Sequence, residues 1–163
     1  MQNIELFKVY IINKLENEFP IDLENVDLLV KFCLKEISLE NLPSNVSEVS
    51  IVFTDDLEIQ KLNLTYRSKD YPTDVLSFSQ IEGSNSVNAT SLGDIIISLE
   101  TAKKQAPEFE NDFNSEIKRL LVHGLLHLLG YDHENVSIEQ ANKMFELEKF
   151  LFDKLNTTRL LLI

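Results

Sequence analysis

All three histidines of this chain fall within eleven residues, His123-Gly124-Leu125-Leu126-His127-Leu128-Leu129-Gly130-Tyr131-Asp132-His133. No other feature constrains the fold so tightly. His123 and His127 are four apart, so on a helix they stand one above the other on one face. A helical turn rises about 5.4 Å, which lets two imidazoles converge on one ion. Gly130 falls where that helix should stop, because glycine takes a left-handed C-terminal conformation without a Cβ penalty. The turn it makes can swing His133 back toward the first two. Two histidines at this spacing alone are ordinary helix residues. Three in one window, with glycine at the turn, are the ligand set of a catalytic zinc site with one open position.

The spacing H-x3-H-x2-G-x2-H equals that of the metzincin peptidases. Those peptidases carry glutamate directly after the first histidine, as general base. Here that position is Gly124, which has no side chain. The metal holder is present and the peptidase base is absent.

A chain of 163 residues with 44% hydrophobic content can bury a sizeable core and is expected to form one domain. Cys33 is the only cysteine, which excludes an internal disulfide. It lies among Val30, Phe32, Leu34 and Ile37 and is expected to be a buried structural thiol. Met1 to Leu15 mixes Glu5, Lys8 and Lys14 into its apolar residues and does not read as a signal peptide. No apolar run approaches the roughly 20 residues that span a bilayer. A cytoplasmic protein without a membrane partner is expected. The formal charge of −12 argues against a nucleic-acid partner, since phosphate binding wants Lys and Arg. Binding depends on the local field, however, and not on the global sum.

Residues 4–12, with Ile4, Leu6, Phe7, Val9, Tyr10, Ile11 and Ile12, suit a first strand. Asp22 or Asn25 can cap a helix to about Leu39, with Leu29, Val30, Cys33, Leu34 and Ile37 as its stripe. Residues 41–45, with Pro43, form a turn. Val49, Ile51 and Phe53 alternate with Ser50, Val52 and Thr54 in a second strand. Thr54 and Asp55 offer caps for a helix through Leu57, Leu62 and Tyr66. Tyr66 to Asp74 reads as a polar loop, Val75 to Ile81 as a third strand, and Glu82 to Ser91 as a connection. Leu92 to Ser98 reads as a central strand able to form a long-looped hairpin with the third. Leu99 to Ala106 is predicted helical, ending before Pro107.

The histidine helix is predicted to start near Asn114. Ile117, Leu120, Leu121 and Leu128 cover one side, Val122, Leu126 and Leu129 another. A helix apolar on most of its circumference is packed on several sides. It is therefore placed against the sheet, under a second helix, Ser137 to Leu155. The inner face of that helix is read as Ile138, Ala141, Met144, Phe145, Leu151 and Phe152. The order of elements predicts an α+β fold. It should be a single layered domain over residues 1–155, with a mixed sheet of about four strands, five or so helices, and the metal-binding helix packed on the sheet. Residues 156–163 are expected to be a frayed or weakly docked tail.

A second constellation is the stretch Asn63-Leu64-Thr65-Tyr66-Arg67-Ser68-Lys69-Asp70-Tyr71-Pro72-Thr73-Asp74-Val75-Leu76-Ser77-Phe78. Arg67, with Lys69 beside it, has two readings. One is a solvated loop residue paired with Asp70 or Asp74. The other is a guanidinium fork placed to bind phosphate oxygens.

This stretch resembles the YbeY family of bacterial rRNA maturation factors, as does Leu92-Gly93-Asp94-Ile95-Ile96-Ile97-Ser98. The histidine motif completes the match in the same order. Ser79 stands where many members carry proline. The resemblance implies a metal-dependent, single-strand-specific endoribonuclease acting in ribosomal RNA maturation and ribosome quality control. It implies a metal on His123, His127 and His133, with Arg67 as the functional arginine of the cleft and Lys69 beside it toward the RNA. Ribosomal RNA is the implied partner, together with ribosomal or ribosome-assembly proteins. Lys61, Arg67 and Lys69, joined by Lys103, Lys104, Lys118 and Arg119, are expected to make a positive cleft on a negative body.

Three imidazoles suit zinc, nickel, copper or iron. Zinc is favoured because it needs no redox partner. Zinc in such a site lowers the pKa of its water to about 7. Either hydroxide attacks the phosphodiester, or the ion polarises a phosphoryl oxygen while the RNA 2′-OH attacks. Arg67 would offset developing charge. Asp74 and Asp132 are candidates for moving protons, and equally for a strand start and a turn. Two other functions remain open: a metal-dependent hydrolase of another substrate class, and a non-catalytic ribosome-assembly factor in which the metal staples the fold.

Overall fold

The computed structural model describes residues 4–37, 42–82, 88–158 and 160–163. Four strands and five α-helices lie among the described residues. They are β1 (Lys8–Asn13), α1 (Leu23–Glu36), β2 (Glu48–Thr54), α2 (Asp56–Arg67), β3 (Val75–Ser79), β4 (Ser91–Ser98), α3 (Leu99–Gln105), α4 (Phe113–Leu128) and α5 (Ile138–Thr157). The sheet order is β1-β2-β4-β3. β1, β2 and β4 run parallel, and β3 is antiparallel to β4. The fold is the expected α+β layered arrangement around a mixed sheet.

β4 is flanked on both sides, and its side chains show it. Ile95 and Ile97 enter the main core, while Ile96 faces the other side with Ile59 and Leu76. A strand covered on both faces reads as a continuous apolar run, which is why Ile95-Ile96-Ile97 was legible. On β2, Val49, Ile51 and Phe53 point into the core as their alternation predicts. The helices start at side-chain caps: Asp22, Asp55, Ser98, Asp112 and Ser137 each accept from a backbone N–H in the first turn.

α4 is the central helix. It packs on β3 and β4 and also against α1, α3 and α5. Ile117, Leu120, Leu121, Val122, Leu125, Leu126 and Leu128 are all buried. Its nearly all-round apolar surface has that cause. Cys33 is fully buried on α1, and burial pushes its thiol pKa up to about 12. No helix is long and apolar enough to cross a membrane among the described residues.

Several expectations change. The first strand begins at Lys8, because Ile4–Leu6 forms a 3₁₀ turn. α1 closes at Glu36; Leu39 and Asn41 lie outside the described residues, as do 83–87 of the β3–β4 connection. The third strand stops at Ser79, short of Ile81. Tyr66 and Arg67 are not in a loop: they form the last turn of α2, which ends only where Ser68 turns left-handed at φ 57°. α5 buries Met144, Leu151 and Leu155, whereas Ile138 is 81% and Phe145 64% exposed. These buried residues lie 7 and 4 apart, on one face of the helix, and Phe145 lies about 100° around from Met144. The chain end is docked. Leu162 is buried, its N–H donates to Asn114 Oδ1 at 2.7 Å, and its carbonyl accepts from Asp22 N–H at 2.7 Å.

Candidate metal centre

Local chemistry at the end of α4 gathers the histidines. Gly130 is left-handed at φ 87°. Its N–H donates to the His127 carbonyl, and the Tyr131 N–H donates to the Leu126 carbonyl, both at 3.0 Å. This is a Schellman turn. Asp132 Oδ1 then accepts from the backbone N–H of His133 at 2.7 Å and of Glu134 at 2.9 Å. Those bonds, that of Glu134 foremost, hold its carboxyl below the usual range. Asp132 therefore shapes the turn that returns His133 to the helix.

The three rings converge. Centroid separations are 4.6 Å for His123–His127 and 5.3 Å for each with His133. One nitrogen from each lies within 4.8 Å of the others. The Nε2 atoms of His123 and His127 are 3.0 Å apart. Two nitrogens on a tetrahedral zinc at 2.0–2.1 Å sit about 3.4 Å apart, so the donor set fits one ion after a small adjustment. Burial, reinforced by His123, holds the His127 pKa below the ordinary imidazole value. That shift favours the neutral imidazole that a metal ligand has to be.

A residue the sequence did not announce completes this arrangement. Glu148 of α5 places Oε1 3.1 Å from His123 Nδ1, with both side chains about four-fifths buried. The contact assigns the proton to Nδ1 and turns Nε2 toward the other rings. Its one available signal was a carboxylate on the stripe Met144, Glu148, Leu151, Leu155, where an apolar residue belongs. Carboxylates so placed typically contribute 10–100-fold to metal affinity, roughly. Glu148→Gln is accordingly expected to weaken zinc binding by about that factor in a chelator competition, with the metal-free melting temperature unchanged.

Gly124 has a packing reason. A Cβ there would sit 2.8 Å from Ile95 Cγ2 and 3.2 Å from Ser77 Oγ. The helix backbone lies directly on the sheet, and Ser77 Oγ donates to the Gly124 carbonyl at 3.3 Å. Ser79 likewise donates to the Leu128 carbonyl at 3.0 Å, satisfying an orphan acceptor of the last turn. Gly124→Ala is expected to lower the melting temperature, because overpacking costs about 1–3 kcal/mol against about 1 kcal/mol of gained helix propensity. Thermal denaturation of the metal-free protein measures this.

The histidines form one wall of a cleft of about 690 Å³ that Arg67 and Lys69 also line. The end of α2 and the loop after it are clamped there. Buried Asn63 donates from Nδ2 to the Tyr71 carbonyl at 2.8 Å, and Gln60 Nε2 donates to Asp70 Oδ1 at 2.9 Å. Asp74, also on the cleft, accepts from Val75 N–H and from Gln105 Nε2, both at 2.8 Å, and lies 3.9 Å from Arg119. Neither Asp70 nor Asp74 pairs with Arg67, which makes no ion pair among the described residues. Asp74 and Asp132 are both committed to holding backbone.

The other basic residues do not reach the cleft. Arg119 donates from Nη2 to buried Glu116 Oε1 at 2.6 Å and from Nε to Oε2 at 3.0 Å, with its guanidinium 4.0 Å from the Phe109 ring centre. Lys104 lies 3.5 Å from Asp56, Lys103 sits over Phe19, and Lys118 is buried. Lys61 is exposed and does not line the cleft. Arg67 and Lys69 face four carboxylates there, those of Asp74, Glu82, Asp132 and Glu134. Among the described residues the cleft lining carries no excess of positive side chains, and its balance favours a cation.

The family model for endoribonuclease YbeY matches residues 11–156. The chain belongs to the YbeY family. The YbeY match takes in the whole stretch from α1 to the turn that carries His133 and most of α5. A relative from Aquifex aeolicus, endoribonuclease YbeY, is 48% identical over 121 residues, 74% of this chain and 79% of that protein. The Persephonella marina endoribonuclease YbeY is 42% identical over 147 residues, covering 90% and 92%. A Thermotoga maritima protein with a known solution structure superposes with a TM-score of 0.58 at 27% identity, over 93% of this chain and 94% of that one.

Proposed function

We propose that this chain is a metal-dependent endoribonuclease that cuts single-stranded RNA in ribosomal RNA maturation and ribosome quality control, in the cytoplasm. Its relatives are endoribonucleases by name. The observation that carries the proposal is one cleft with three convergent imidazoles and a guanidinium that makes no ion pair among the described residues. His123, His127 and His133 hold the ion, zinc by preference, while Glu148 fixes His123. When bound, zinc supplies a water of lowered pKa and a Lewis acid for a phosphoryl oxygen. Arg67 presents two N–H groups to the phosphoryl oxygens and offsets the charge that builds there. Lys69 binds a neighbouring phosphate as a point charge. Ribosomal or assembly proteins would add the affinity that an acidic surface withholds.

One observation favours a second reading. β3 is an edge strand and lines the cleft, so an extended peptide could pair with its free backbone. Against it, the position after His123 is closed by Ile95, leaving no room for a carboxylate base there.

The test is cleavage of labelled single-stranded and duplex RNA by purified protein, before and after chelation and zinc return. Single-strand cleavage that follows the metal supports the proposal. Intact RNA, with a melting temperature that still falls on chelation, would leave the stapling role in its place.

A further inference from the structure

Three of the chain's four tyrosines, Tyr66, Tyr71 and Tyr131, line the cleft. The metal site uses none of them. Tyr131 packs against the core, but Tyr66 is 65% exposed and Tyr71 53%. Tyr66 is also the better fixed. It stands on the last turn of α2, and its ring rests against Phe78 of β3 at a centroid distance of 5.0 Å and a tilt of 59°. One side is supported by the sheet and the rest is open to the cleft. Tyr71 has no ring partner among the described residues.

We infer that Tyr66 is a platform on which one unpaired nucleobase stacks, next to the phosphate that Arg67 engages. The inference rests on the RNA reading above. Tyr66 and Arg67 are consecutive on a helix end that buried Asn63 ties to the following loop, so ring and guanidinium are presented together. They diverge by about 100° around the helix, which separates a base from its phosphate. Charge alone adds little here, since Arg67 and Lys69 face four carboxylates and a bound divalent ion would bring the sum only to about neutral. Stacking supplies attraction without charge, and it is sequence-tolerant because every base has a π-face. A base within a duplex has both faces covered, so the ring selects unpaired RNA.

The experiment measures kcat/KM of zinc-loaded protein on a short single-stranded RNA and on copies carrying one abasic residue at successive positions. In the wild type, an abasic residue beside the cut is expected to lower kcat/KM by about 5–150-fold, mainly through KM. Tyr66→Phe should behave as wild type. Tyr66→Leu should show the loss on intact RNA and no further loss on the abasic copy. An abasic penalty that persists in Tyr66→Leu overturns the inference. So does an equal loss on both RNAs with a lowered melting temperature, which marks Tyr66 as a brace for Phe78. If the wild type cuts no RNA, the endoribonuclease reading fails on its own. Fluorescence anisotropy with the same oligonucleotides then decides the stacking by the same pattern.

Discussion

Exchanging His127 for alanine is expected to abolish stoichiometric zinc binding and RNA cleavage together. Its Nε2 lies 3.0 Å from that of His123, and it is the proposed ligand on the last full turn of α4. Without it two imidazoles remain, one on the helix and one on the turn. The loss should exceed the roughly 10–100-fold attached to an outer-shell partner such as Glu148. The fold should persist, because α4 is held by its buried leucines and isoleucine and not by this ring. Elemental analysis, circular dichroism and RNA cleavage on one preparation check all three parts. Wild-type cleavage by a metal-free, folded His127→Ala protein would place the chemistry elsewhere.

The next largest effect is expected at Arg67. Arg67→Ala should lower the cleavage rate by about 10²–10³, the usual consequence of losing one donor to a charge that develops in the transition state. Zinc content should not change. Stability should stay within about 0.5 kcal/mol, as for an exposed residue that makes no ion pair among the described residues. Arg67→Lys should recover only part of the rate, since an ammonium lacks the planar fork. The competing view, a structural ion pair, predicts lower stability with intact cleavage. The geometry speaks against it, because Asp70 is bonded to Gln60 and Asp74 to Gln105 and Val75. An Arg67→Ala protein that cuts at the wild-type rate would remove Arg67 from the chemistry.

The sequence by itself determined what depends on near neighbours. His123 and His127 share a helix face, Gly130 ends that helix in a Schellman turn, and Asp132 closes the turn that returns His133. Helical period and glycine's access to positive φ decide these within a dozen residues. The alternation on β2 and the apolar run on β4 were legible for the same reason. Tertiary packing decided the rest. Glu148 meets His123 across 25 residues of chain because α5 lies on α4 with Met144, Leu151 and Leu155 inward, leaving Phe145 outside. Arg67 comes to the histidines because α2 overlies β3 and β4, while Arg119, equally basic in sequence, is consumed by Glu116. Gly124 marked a missing base in the sequence; only the structure shows the space itself filled by Ile95. Spacing along a chain fixes which side chains share a face. Which faces then meet is set by how apolar stripes from distant segments are buried together.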